Sequence, residues 1–110
     1  MIYSLAMVNE CAAFLQQKGI DKPIAGIVLG IGLGVLINKI DIRVAVPYKD
    51  IPNFPEAKVE FHKGNLIYGF LNEVLVLVMQ GRFHYYEGYS MQQITFPIRV
   101  MNAILIIYSL

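Results

Sequence analysis

A chain of 110 residues with nine lysines and arginines against eight acids has a formal net charge of +1, and no basic stripe of the kind a nucleic acid requires. Its 56% apolar content is enough for the core of one small domain, residues 1–110, and its single cysteine, Cys11, excludes an internal disulfide and any cysteine-based zinc cluster. No charged-then-apolar leader opens the sequence, so the expected compartment is the cytoplasm.

Ser4 to Lys18 reads as an amphipathic helix, with Leu5, Val8, Ala12 and Leu15 at helical spacing and Gly19 placed to end it. Cys11 falls on this helix, where a small packed residue is a better reading than a reactive thiol. After the connection Asp21–Lys22–Pro23, Ala25–Leu29 is predicted to be a strand. Gly30 to Gly34 then forms a tight loop, followed by a helical turn through Leu36 and Ile37. Arg43–Val46 reads as a second strand, and Pro47 to Pro55 as a proline-rich loop.

Lys58–Phe61, Leu66–Phe70 and Val74–Met79 read as three more strands, the last two joined by a turn at Leu71–Glu73. Their short separations favour antiparallel pairing, so the sheet is expected to be mixed and the fold class α/β. Met91 to Val100 suggests a helix that bends at Pro97 or starts near it. Ile104–Tyr108 is apolar and β-branched enough for a final strand.

A membrane reading rests on the unbroken apolar and glycine run Ile24–Ile37, with Gly26, Gly30 and Gly34 at the four-residue spacing of a close-packing face. The run is shorter than the roughly 18–20 residues needed to cross a bilayer. Asp21, Lys22 and Pro23 stop it on one side, and Asn38 and Lys39 on the other. A buried strand entering a glycine loop fits it better.

The residues richest in chemistry follow Val74–Met79. One Arg, one His, two Tyr and one Glu stand between Gly81 and Gly88, directly after a predicted buried strand. Loops at the carboxyl ends of strands in open α/β sheets are where ligands bind. Arg82 supplies a planar fork suited to phosphate or carboxylate, and His84 a further donor, so the segment has the composition of an anion site with aromatic walls. Each residue also has a plainer reading: a solvated charge for Arg82, a satisfied structural imidazole for His84, core packing for Tyr85 and Tyr86, and pairing with a nearby base for Glu87.

The segment Gln80–Tyr89, Q-G-R-F-H-Y-Y-E-G-Y, followed by T-F-P-I-R-V at Thr95–Val100, resembles the signature of the trimeric purine nucleoside and methylthioadenosine phosphorylases. The purine nucleoside branch is the nearer match. Three further segments agree in order: G-I-V-L-G-I-G-L-G at Gly26–Gly34, I-P-N-F-P at Ile51–Pro55, and H-K-G-N-L at His62–Leu66. The resemblance implies the amino-terminal part of a three-layer phosphorylase fold, a mixed, partly antiparallel sheet flanked by helices. It further implies phosphorolysis of purine (deoxy)ribonucleosides to free base and (deoxy)ribose 1-phosphate. Inorganic phosphate would be the co-substrate, with no cofactor and no metal. The intact family assembles as homotrimers.

Carried onto this sequence, the resemblance makes Gly30, Ile31, Gly32, His62, Arg82 and His84 the phosphate-binding positions and Tyr86 the ribose contact. His84 and Glu87 become the catalytic positions, Glu87 beside the phosphate, where it can help orient the ligands. Two positions depart from the family pattern. Ile31 stands where Ser or Thr supplies a hydroxyl, and losing a hydrogen bond to a charged group costs about 1.5–3 kcal/mol. Phe61 stands where Gly precedes the histidine.

Family members are more than twice as long, and the remainder carries most purine-recognition groups. The expectation is therefore a truncated domain holding much of the phosphate half-site, with negligible turnover alone. The alternative is a non-catalytic anion-binding or interaction domain that retains the first half of the fold.

Overall fold

The computed structural model describes residues 3–29, 34–55, 64–81 and 88–105. They form α1 (Leu5–Gln17), β1 (Ala25–Leu29), α2 (Gly34–Asn38), β2 (Ile40–Pro47), β3 (Asn65–Leu71), β4 (Val74–Gln80) and α3 (Met91–Ile104), with a 3-10 turn at Tyr48–Asp50.

The strands make one open sheet in the order β1-β4-β3-β2. β1 runs parallel to β4, whereas β3 is antiparallel to both β4 and β2, so the sheet is mixed, and the short separation of β3 from β4 accounts for the antiparallel pairing of those two. The β3–β4 hairpin turns on Asn72 and Glu73, with Asn72 at φ 56°, a left-handed conformation that asparagine tolerates.

Side-chain alternation along β3 and β4 divides the core in two. Leu66, Tyr68, Leu77 and Met79 face one side, beneath α1 and α3, in a cluster with Val8, Cys11, Leu15, Phe96, Val100 and Met101. Ile67, Val76 and Val78 face the other, where Ile40, Ala25 and Ile27 join them and Leu36 and Ile37 of α2 pack on top. Helices therefore cover both faces. The run Ile24–Ile37 is divided between β1 and α2. Among the described residues no helix is long and apolar enough to cross a membrane.

β2 is longer than the predicted Arg43–Val46 and contains an irregularity that the sequence does not announce. Its pairing with β3 shifts between Ile42 and Val44, leaving Arg43 as an extra residue. The shift moves the strand's apolar face across the sheet. Ile40 packs with the α2 side, whereas Val44 and Val46 pack with the α1–α3 side.

Helix ends follow their local signals. Ser4 caps α1 by accepting from the Met7 N–H at 3.2 Å, and Gly19, at φ 98°, lets the chain turn away. Ser90 opens α3 with a reciprocal pair: its hydroxyl accepts from the Gln93 N–H, and the Gln93 side-chain oxygen accepts from the Ser90 N–H. This capping box starts α3 at Met91, where the sequence suggests it, and of the two alternatives for Pro97 a helix starting near the proline is set aside, since Pro97 lies inside α3.

The predicted strand Ile104–Tyr108 is also corrected at its first residue. Ile104 closes α3, and the Leu105 N–H donates to the Met101 carbonyl. Phe96, Val100, Met101 and Ile104 are buried at helical spacing, and that packing outweighs the β-branched preference of the segment. Residues 106–110, and the predicted strand Lys58–Phe61, lie outside the described residues.

Candidate functional site

Four strand ends meet at one edge of the sheet. Leu29 is registered with Gln80, Gln80 with Asn65, and Asn65 with Pro47. Because β1, β4 and β2 run the same way and β3 runs opposite, this edge holds the carboxyl ends of three strands and the amino end of the fourth. The chain leaves the sheet here after Leu29 and Gln80 and enters it here at Asn65. The sequence-predicted site residues Gly30, Ile31, Gly32, His62, Arg82, His84, Tyr86 and Glu87 all belong to the connections attached at these points. They, together with Phe61 and Tyr85, lie outside the described residues. The register thus brings together the anchor points of the three predicted site segments.

One described side chain spans this edge. Tyr48, the residue after β2, is buried, and its hydroxyl donates to the Gly81 carbonyl at 2.7 Å. Its backbone N–H donates to the Gly64 carbonyl at 3.1 Å. The ring lies against Gly64 so closely that a β-carbon there would overlap it, which explains glycine at that position. Phe54 packs on the same ring at a centroid distance of 5.6 Å. Burial pushes the Tyr48 phenol well above its ordinary pKa of 10.0, so it remains a proton donor throughout the neutral range.

Asn65 and Gln80 also touch, their side-chain amides 3.4 Å apart. On the far side of residues 82–87, Gly88 has φ 93° and Tyr89 is buried immediately before the Ser90 cap. Sequence reasoning missed Tyr48. A tyrosine following Val46 and Pro47 carries no local pattern that separates it from a surface loop residue; its role depends on contacts with residues far along the chain. Among the described residues, no group of three or more His, Cys, Asp or Glu side chains gathers to hold a metal.

An open mixed sheet between helices, with its connections gathered at the carboxyl ends of parallel strands, is the architecture of an α/β ligand-binding domain. No family model matches the chain. It is 53% identical over 97 residues to purine nucleoside phosphorylase 1 of Geobacillus stearothermophilus, an alignment covering 88% of this chain and 35% of that protein. The corresponding protein of Bacillus subtilis is 50% identical over 97 residues, covering 88% and 36%. Isoform 2 of the Schistosoma mansoni purine nucleoside phosphorylase, solved with cytosine and ribose-1-phosphate, superimposes with a TM-score of 0.87 at 40% identity, covering 94% of this chain and 36% of that one.

Over 88–94% of its length the chain matches purine nucleoside phosphorylases at 40–53% identity, as a fragment of those proteins. It spans about a third of the length of the curated relatives it matches.

Proposed function

We propose that this chain carries the phosphate half-site of a purine nucleoside phosphorylase. The observation that carries the reading is the register Leu29–Gln80–Asn65, which anchors the three predicted phosphate-site segments at one sheet edge. In this reading Arg82 and His84 hold the phosphate with the backbone donors of Gly30, Ile31 and Gly32. His62 stands near the phosphate and sugar, Tyr86 contacts the ribose, and Glu87 orients the phosphate ligands.

The reaction of the whole enzyme would be attack of inorganic phosphate on the anomeric carbon of a purine nucleoside. It yields free base and ribose 1-phosphate through an oxocarbenium-like transition state. No protein nucleophile is needed, so the residues act by positioning and electrostatics. Phosphate is the co-substrate, and no further cofactor is proposed. A cytoplasmic homotrimer is the assembly and location this reading carries.

The 110-residue chain on its own is expected to bind phosphate and turn over negligible nucleoside, because it spans only 35% of the relative to which it is 53% identical. A second reading, a non-catalytic anion-binding domain, is favoured by Ile31 and Phe61 at positions where the family pattern has a hydroxyl residue and a glycine. Isothermal titration with phosphate, with an Arg82→Ala control, tests the half-site. Saturable binding that the control loses supports it, and absence of binding by the folded chain rejects it. Substituting Ile31→Ser and Phe61→Gly separates the two readings: tighter phosphate binding marks a decayed enzyme site, and unchanged binding marks the anion-binding domain.

A further inference from the structure

We infer that the ion pair Asp41–Arg43, carried on the irregular stretch of β2, guards the outer edge of the sheet against pairing with β2 of a second copy of this chain. The inference is independent of the phosphate half-site.

Composition creates the need for such a guard. β2 ends the order β1-β4-β3-β2, and among the described residues it pairs with a strand on one side only. Its sequence, I-D-I-R-V-A-V-P, is apolar at every position except Asp41 and Arg43. An edge strand of that kind presents a row of unused N–H and C=O groups to any strand of similar length. β1, at the opposite edge, is only five residues long and offers a shorter template.

The backbone breaks that row. Arg43 is extra in the pairing with β3, so the regular spacing of hydrogen-bonding groups along β2 is interrupted between Ile42 and Val44. Gly69 shows where the strand goes instead. A β-carbon built on it would overlap the Asp41 carbonyl and crowd the Ile42 α-carbon. Since β-carbons point out of a sheet, β2 at Asp41 and Ile42 is lifted out of the plane of β3 rather than lying level beside it.

The side chains occupy the interruption. Arg43 donates to the Asp41 carboxylate at 2.8 Å, and the two side chains are 57% and 65% exposed. The guanidinium also lies 5.3 Å from the centre of the Phe70 ring on β3, so a carboxylate and an aromatic face hold it across the strand. An exposed pair of this kind adds little to stability. Its effect is on what can approach: a strand laid along β2 would strip water from both charges.

The test compares two double variants of the 110-residue chain that leave its net charge unchanged. Asp41→Val with Arg43→Val removes the guard. Glu10→Val with Lys18→Val makes the same change of composition at exposed positions of α1 or its end. Amide hydrogen exchange at low and high protein concentration reads β2 directly, so association through another surface is not mistaken for edge pairing. In the edge variant, β2 amides that exchange freely when dilute are expected to slow about tenfold when concentrated, with larger species in sedimentation velocity. The α1 variant is expected to exchange at β2 as wild type does. A folded edge variant without concentration-dependent protection of β2, or equal protection in the α1 variant, would overturn the guard.

A second measurement needs no substitution. In wild type, β2 amides should exchange at the same rate at both concentrations. Protection of β2 that grows with concentration would show an unguarded edge and sink the proposal even if the edge variant failed to fold.

Discussion

Gly69 lies under the Asp41 carbonyl so closely that no β-carbon fits between them. The contact belongs to the irregular stretch of β2, where Arg43 is extra and the strand's apolar face changes sides. Gly69→Ala must push backbone against backbone, and overpacking of that kind costs about 1–3 kcal/mol. Gly26 makes an instructive comparison, since a β-carbon there meets the terminal methyl of Met101 at 2.8 Å, the far end of a flexible side chain. Denaturant midpoints should fall clearly in Gly69→Ala and by less in Gly26→Ala; equal losses would show that β2 yields as readily as a methionine tail.

Phe96 is fully buried on α3, stacked on Tyr3 at 4.3 Å between centroids and meeting Phe54 edge-on at 6.2 Å. It joins the start of the chain, the loop after β2 and α3 in one cluster. Phe96→Ala should cost about 3–5 kcal/mol, a large fraction of the stability of a small domain. Near-ultraviolet circular dichroism should lose its tyrosine signal at temperatures where the parent chain is still folded. Retention of the parental melt would mean that the cluster carries little of the core energy.

Cys11 is buried on α1 and its thiol donates to the Pro52 carbonyl. Burial is the main cause pushing its pKa from an ordinary 9.0 up to about 11. The folded chain keeps a proton that the unfolded chain releases. The resulting stability is complete below pH 9 and is lost as pH rises towards about 11. Tyr3 and Tyr48 are raised by burial too and add to the alkaline loss. Native Cys11 should resist alkylation at pH 8, and the decline of the unfolding midpoint above pH 9 should be shallower in Cys11→Ala. Rapid native labelling would contradict the buried thiol.

Much of this architecture is legible in residue order because the relevant signals are local. Ser4 and Gly19 bracket α1, the short separation of β3 and β4 gives their antiparallel pairing, and apolar runs give β1, β3 and β4. The features that escaped are those set by distant contacts. Arg43 is extra only relative to β3, and Ile104 continues a helix because its side chain is buried at the spacing set by Phe96 and Val100. Tyr48 acquires its role from Gly64 and Gly81. The candidate site was legible differently again. Its chemistry is an expectation from the residue types between Gly81 and Gly88, which lie outside the described residues; the sheet register places only the strand ends that flank them.

The pairing of β1 with β4 joins Ala25 to Val76, about fifty residues apart along the chain, whereas β3 and β4 meet across a two-residue turn. Loop-closure entropy delays the first pairing and favours the second early in folding. The hairpin would then form first, and docking of β1, which brings Leu29 beside Gln80, would come late. Contacts absent from the rate-limiting structure govern escape from the native state more than arrival at it. On the proposed phosphate half-site, phosphate is expected to slow unfolding in stopped-flow experiments and leave the refolding rate nearly unchanged, as a latch on a finished molecule; faster refolding would place β1 in the nucleus instead.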